Sequence, residues 1–287
     1  AKFAITGCPN VSSDALGVLA RGVPRNGQSV RGLVVFFSGS EGTDWWSTPD
    51  PLAGRFLARL RTLDGFVVVQ VRWLDSWLKA PKGEESGSAH LACRPSTAVD
   101  WIYQNLYLPL GITAGPGECG FCITGNSGGA TQAAYPLSHY GLDGILGAAV
   151  LTSGPPHAAE EKGCLPGFPG YEYDPSGVKV IDLSFGFSDD GSDLGPCFRA
   201  DPSWSARWQE ESVDTGANDT AYPRTRVDFI IGSGDDSTAP IHAGDFRDLI
   251  QPVQSNHVTW LVVDGMAHTI QVSPEGLAAL EASLLGP

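Results

Sequence analysis

Hydrophobic residues in this chain fall into short, nearly continuous runs separated by stretches with helical spacing. Leu33-Val34-Val35-Phe36-Phe37 and Phe66-Val67-Val68-Val69-Gln70-Val71 are two such runs, each of strand length. Phe121-Cys122-Ile123-Thr124, Ile145 to Thr152, Val227-Asp228-Phe229-Ile230-Ile231 and Val258 to Val263 have the same character. A strand without polar alternation is covered on both faces, as in a parallel sheet sandwiched between helices. Between the runs, Pro51 to Leu63 puts Leu52, Phe56, Leu57 and Leu60 on one helical face. Ser96 to Tyr107 does the same with Val99, Ile102, Tyr103 and Leu106, and Ser96 is its expected N-cap. Further helices are expected over Ala130 to Leu137, near Ile241 to Ile250, and over Pro274 to Leu284. The alternation predicts an α/β architecture with a mostly parallel central sheet and helices on both faces.

The rhythm breaks between Ser153 and Pro223, a stretch rich in Gly, Pro, Ser and Asp that also carries several aromatics. An insertion between late strands of such a sheet lies over its carboxyl edge, where ligands bind. It is therefore expected to form a cap or one wall of a site. A chain of 287 residues, 42% of them hydrophobic, is compatible with one large core. The expected organisation is a single domain over 1–287 with a cap-like insertion at about 153–223.

Composition narrows the possible partners. The net charge of −14 argues against nucleic acid, whose phosphates need a basic face. No apolar run reaches the ~18 residues that suggest a membrane span. Six cysteines beside a single methionine suggest three disulfides and an oxidising compartment. The pairing expected for Cys164 and Cys197 follows from their flanking one insertion. Cys119-Gly120-Phe121-Cys122 precedes a strand, so no helix N-terminus would activate a thiol there, and a structural role is expected. Asn10-Val11-Ser12 and Asn218-Asp219-Thr220 are glycosylation patterns. The expected setting is extracellular, with the chain a mature, monomeric form. Asp189-Asp190-Gly191-Ser192-Asp193 lacks the downstream glutamate of a calcium loop and reads as a solvated acidic turn. No metal and no cofactor are expected.

The chemistry centres on Gly125-Asn126-Ser127-Gly128-Gly129, set between an apolar run and a helix-compatible segment. A serine with a glycine two positions away on each side, at a strand-to-helix turn, is the pattern of a nucleophile elbow. Such a serine needs a base and a carboxylate, in the chain order Ser, Asp or Glu, His. The run at 227–231 leads into Gly232-Ser233-Gly234-Asp235-Asp236, and the run at 258–263 leads into Asp264-Gly265-Met266-Ala267-His268. His268 is the expected base among six histidines, because it alone follows the last strand in a glycine-containing loop. Asp235 and Asp236 are adjacent and point in different directions, so only one meets the imidazole. Gly128, directly after the serine, supplies one oxyanion amide, and the loop Phe37-Ser38-Gly39-Ser40-Glu41-Gly42 is the candidate source of the other. Trp45 and Trp46 follow that loop, and Asn126 precedes the serine. These three are the substrate-binding candidates, with Trp73 and Trp77 near the same edge.

On these residues the chain resembles the α/β-hydrolase superfamily. Its acid and histidine loops are similar to those of the bacterial cutinase and polyester-hydrolase group. In that group a Thr-Ile-Ala-Pro type run follows the acid. Asp236-Ser237-Thr238-Ala239-Pro240 has that spacing, so the resemblance implies Asp236 as the acid. It also implies the amide of Ser40 as the second oxyanion donor. The chain departs from the group at Asn126, Gly128 and Ser40, and in its longer insertion. The expected activity is that of a secreted serine esterase working through Ser127, His268 and Asp236 and an acyl-enzyme, on apolar, aromatic or polymeric esters. The alternatives are a peptidase or thioesterase with the same triad, or a non-catalytic binding protein of this fold.

Overall fold

The computed structural model describes residues 1–172, 174–187, 194–250 and 257–286, and the acidic turn at 189–193 lies outside them. Among the described residues, eight strands form one sheet in the order β1-β2-β4-β3-β5-β6-β7-β8. β1 (Lys2–Ile5) and β2 (Ala15–Gly22) form an antiparallel pair, and β2 joins the rest antiparallel to β4 (Phe66–Trp73). β3 (Gly32–Phe37), β5 (Phe121–Asn126), β6 (Ala148–Thr152), β7 (Arg226–Gly232) and β8 (His257–Val263) run parallel to β4. The parallel strands are the apolar runs of the sequence. Every residue of β3, β5, β6 and β7 is buried.

The helices that cover the sheet are α1 (Pro51–Thr62), α2 (Ser88–Leu91), α3 (Cys93–Ile102), α4 (Gly128–Ser138), α8 (Ala239–Leu249) and α9 (Pro274–Leu285). α4 is buried along its whole length. Its Gly128-Gly129 start suits that burial, since a Cβ at either position would collide with the backbone of the loop after β3. α1 starts where Asp50 accepts a hydrogen bond from the Leu52 amide at 2.6 Å, with Pro51 at the first helical position. Between β6 and β7 lie α5 (Glu160–Cys164), α6 (Pro175–Ser184) and α7 (Ser205–Glu211). They pack a small core of their own around Val178, Ile181, Phe185 and Trp208.

Two expectations need correction. Ser96 does not cap α3: the helix begins at Cys93, and Ser96 is a buried interior residue whose amide donates to the Ala92 carbonyl at 3.1 Å. The predicted helix to Tyr107 then continues past α3 as a π-helical turn over Tyr103–Tyr107. The N-terminal pair β1–β2 was not visible as strands, because half-exposed residues give it no continuous apolar run.

The six cysteines form Cys8–Cys93, Cys119–Cys122 and Cys164–Cys197. The third is the pairing expected across the insertion. The second lies at the start of β5, away from any helix N-terminus. The first ties the segment between β1 and β2 to the start of α3 and closes a span of 85 residues. Constraining a loop of that length in the unfolded chain is worth about 4 kcal/mol. The double substitution Cys8→Ala, Cys93→Ala should therefore lower unfolding free energy by about 4 kcal/mol in urea titration, with the other two disulfides intact by mass spectrometry.

Candidate active site

The site is built at the carboxyl ends of β3, β5, β7 and β8. Ser127 occupies the turn from β5 into α4 with φ 56° and ψ −125°, a strained backbone for a residue with a Cβ. Its amide donates to the Thr152 carbonyl at 2.9 Å, so the β5–β6 pairing extends to the serine itself. The close approach of helix to sheet demands the flanking glycines. A Cβ on Gly125 would stand 2.3 Å from the backbone of Gly129, and one on Gly129 would stand 2.3 Å from the Phe37 carbonyl oxygen. Any side chain at either position would push α4 off the strands and move the serine.

The same packing sets two amides beside the serine. Ser40 has φ 50°, and a Cβ on Gly128 would lie 3.0 Å from the Ser40 nitrogen and 2.1 Å from its carbonyl oxygen. The Ser40 and Gly128 backbones are thus in contact at the floor of the cleft. Gly128 is the first residue of α4, where the amide has no intrahelical acceptor.

His268 follows β8, and its Nδ1 lies 2.9 Å from Oδ2 and 3.1 Å from Oδ1 of Asp235. The carboxylate facing the imidazole is therefore Asp235, which corrects the expectation for Asp236. The reason lies in the turn after β7. The Asp235 amide donates to the Gly232 carbonyl at 3.2 Å, while the Gly234 amide donates to the Met266 carbonyl at 2.9 Å. The Gly265 amide donates to Ser233 Oγ at 2.8 Å. These bonds staple the acid loop to the histidine loop and turn Asp235 inward, its side chain wholly buried, while Asp236 faces the cleft. Ser237 Oγ donates to Asp235 Oδ1 at 2.7 Å and sits 3.2 Å from His268 Nδ1. Burial would raise the Asp235 carboxyl, but hydrogen bonds from His268 and Ser237 and the charge of His268 outweigh it and leave it below the ordinary carboxylate range. An ionised Asp235 fixes the tautomer with the proton on Nδ1 and leaves Nε2 free to accept one.

Asn126 is buried and its Oδ1 accepts from the Ile270 amide at 3.1 Å and from Thr152 Oγ1 at 3.3 Å. It tethers the elbow to the segment that follows His268. The tryptophans divide. Trp46 is fully buried, packed against Phe36 at 4.8 Å and Phe56 at 5.9 Å, although it borders a small cleft. Trp73 and Trp77 belong to the core, with Trp73 Nε1 donating to Gln132 Oε1 at 2.7 Å. Trp45 is half-buried at the edge of the same small cleft, with Arg72 stacked 5.8 Å from its ring.

Among the described residues, Ser127 and His268 both line a larger and a smaller cleft. The larger, about 510 Å3, runs between the loops carrying Ser127 and His268 and the segment joining β6 to β7. α6 and the residues before it give it Glu172, Asp174, Ser176 and Lys179. Glu41 and Asp236 add to these, making four carboxylates to one lysine. The smaller, about 310 Å3, lies between the loop after β3 and the residues after His268. None of the α6 contribution carried a motif, so sequence reasoning missed it. Of the other histidines, burial lowers His139 and His157 to about 4 and His242 well below its ordinary value, and His157 lines the larger cleft. Among the described residues, no three His, Cys, Asp or Glu side chains cluster as a metal site. No described helix is long and apolar enough to cross a membrane.

This strand order, with the elbow after β5 and acid and histidine loops after β7 and β8, is the α/β-hydrolase fold. No family model matches the chain, and no curated protein matches it by sequence. Solved structures do match in shape. Est1E from Butyrivibrio proteoclasticus superposes with a TM-score of 0.54 at 14% identity, over 99% of this chain and 96% of that one. Brefeldin A esterase, a bacterial homologue of human hormone-sensitive lipase, gives 0.60 at 17%, over 99% and 73%. A puromycin-hydrolysing peptidase of Mycobacterium tuberculosis gives 0.56 at 15%, over 99% of this chain and 38% of that one.

The hydrogen bond from His268 can be read directly. A far-downfield imidazole N–H proton resonance should persist in Asp236→Asn and vanish in Asp235→Ala. The reverse pattern would place the other carboxylate behind the ring.

Proposed function

We propose that the protein is a secreted serine hydrolase of carboxylic esters, with Ser127 as nucleophile, His268 as general base and Asp235 as the orienting carboxylate. The observation that carries this reading is the buried Asp235 carboxylate on His268 Nδ1, with that histidine and the strained Ser127 lining one cleft. His268 Nε2 takes the Ser127 proton as Oγ attacks the ester carbonyl. The carbonyl electrons move to oxygen, which the Gly128 and Ser40 amides stabilise. The oxyanion collapses, the C–O bond breaks, and the imidazolium gives its proton to the departing alcohol. Water then repeats the sequence on the acyl-serine, releasing acid and restoring Ser127.

Three disulfides support an oxidising, extracellular setting. The segment joining β6 to β7 acts as the cap over the larger cleft, whose four carboxylates disfavour anionic substrates. The fold neighbours include both esterases and peptidases. Peptide and thioester hydrolysis would use the same residues, but a binding-only role has no need of an intact acid–histidine pair beside a strained serine.

Turnover of 4-nitrophenyl esters tests the assignment. Asp235→Asn should lower kcat by about 10^4-fold, as when a triad histidine loses its correct tautomer. Asp236→Asn should change it by less than about tenfold, because an exposed carboxylate acts only through a screened field. Equal losses in the two variants, or a parent inert to esters, would overturn the reading.

A further inference from the structure

The larger cleft has a wall that ester hydrolysis by itself does not require. His157 follows β6 with φ 120°, a backbone that residues with a Cβ rarely adopt. Such strain persists only where the surroundings impose it, and it clusters at sites that hold ligands. The ring stands 6.2 Å from that of His242 and is half-buried in the cleft that also contains Ser127 and His268. Burial, against the charge of Asp174, lowers the imidazole to about 4, so it is neutral at neutral pH. Among the described residues its nitrogens meet no hydrogen-bond partner. Either tautomer of a neutral imidazole keeps one nitrogen as an acceptor.

α6 brings a carboxylate to the same place. Asp174 caps the helix, its Oδ1 accepting from the Ser176 amide at 2.9 Å and from Ser176 Oγ at 2.7 Å. Burial would raise its carboxyl, but hydrogen bonds from Ser176 and Gly177 outweigh it and leave Asp174 below the ordinary range, hence ionised. A Cβ on Gly177 would stand 3.3 Å from Asp174 Oδ2, 3.1 Å from His157 Cε1 and 3.4 Å from His157 Nδ1. Carboxylate and imidazole therefore flank one gap, left open because residue 177 is glycine. Glu172, two residues earlier, lines the same cleft. Among the described residues neither carboxylate forms an ion pair, and Lys179, the lysine of this wall, is exposed and pairs with neither.

The wall thus offers a hydrogen-bond acceptor beside uncompensated negative charge. An anionic group is repelled by Asp174 and Glu172. A neutral hydroxyl donates to His157 but leaves the carboxylates unanswered. A protonated amine meets both, with an N–H for the imidazole and its charge beside the carboxylates. We infer that this wall is a specificity subsite for a protonated amine on the substrate, with His157 as acceptor and Asp174 and Glu172 as counter-charge. The inference rests on the esterase reading and adds the substrate class, an ester that carries an amino group.

Two series of esters at neutral pH test it, one varied in the acyl chain and one in the alcohol. Each contains a primary ammonium ester with its methyl isostere, and a trimethylammonium ester with its tert-butyl isostere. In one series kcat/KM for the ammonium ester should exceed that of its isostere by about tenfold or more, the range of a hydrogen bond to a charged group. The trimethylammonium ester, charged but without an N–H, should show a smaller advantage. Asp174→Asn with Glu172→Gln keeps a capping side chain on α6 and removes both charges, and should bring both ratios towards one. His157→Phe keeps a ring against His242 and should reduce the ammonium ratio to that of the trimethylammonium pair. A change in packing alone would slow charged and neutral esters together and leave the ratios standing. Equal turnover of charged and neutral esters in both series, or ratios that survive loss of the carboxylates, overturns the subsite and leaves the esterase reading in place. An ammonium ratio unmoved by His157→Phe overturns the part assigned to His157. Turnover of none of the esters overturns both readings.

Discussion

The approach of α4 to the central strands constrains everything else in the site. At Gly125 and Gly129 helix and strand backbones come so near that a single methyl group would collide with a backbone carbon or oxygen at 2.3 Å. Gly128 meets the Ser40 backbone in the same way. These contacts fix the positive φ of Ser127, the position of the Ser40 loop and the direction of the first amide of α4. The strain at Ser127 persists because the fully buried α4 and the β5–β6 pairing hold it from both sides. The proposed oxyanion donors and nucleophile thus share one packing contact between backbone atoms.

The other half of the site is held by a separate set of backbone bonds. The loops after β7 and β8 are stapled by Gly234 to Met266 and by Gly265 to Ser233, with Asn126 joining them to the elbow through the Ile270 amide. Asn126 and Trp46 had looked like substrate contacts. Asn126 instead spends its carbonyl oxygen on internal bonds, and the Trp46 ring lies in the core beside Phe36 and Phe56. Both border the smaller cleft, so their place beside the serine was legible while their surroundings were not.

Much of the frame could be read from the chain because continuous apolar runs and a glycine-flanked serine are local signals. β3, β5, β6 and β7 coincide with such runs, and the order Ser127, acid, His268 follows the sheet. The choice between Asp235 and Asp236 was not local. It depends on the turn that Gly232 and Asp235 close, and on a loop some thirty residues away that Gly234 contacts. The residues themselves left the two open, and the resemblance to the polyester-hydrolase acid loop pointed to Asp236, the neighbour that faces solvent and cleft. Similarly, β1 and β2 gave no run because they are half-exposed, and the α6 wall gave no motif because Glu172, Ser176 and Lys179 become a surface only after the insertion folds.

The central claim is that the constrained geometry at Ser127 makes this one hydroxyl a nucleophile. Covalent labelling with a fluorophosphonate, followed by peptide mass spectrometry of the intact folded protein, addresses it most directly. The account predicts one adduct per chain, on Ser127, that disappears in Ser127→Ala. An adduct on another residue, labelling that survives that substitution, or a parent protein that takes up no label would contradict it.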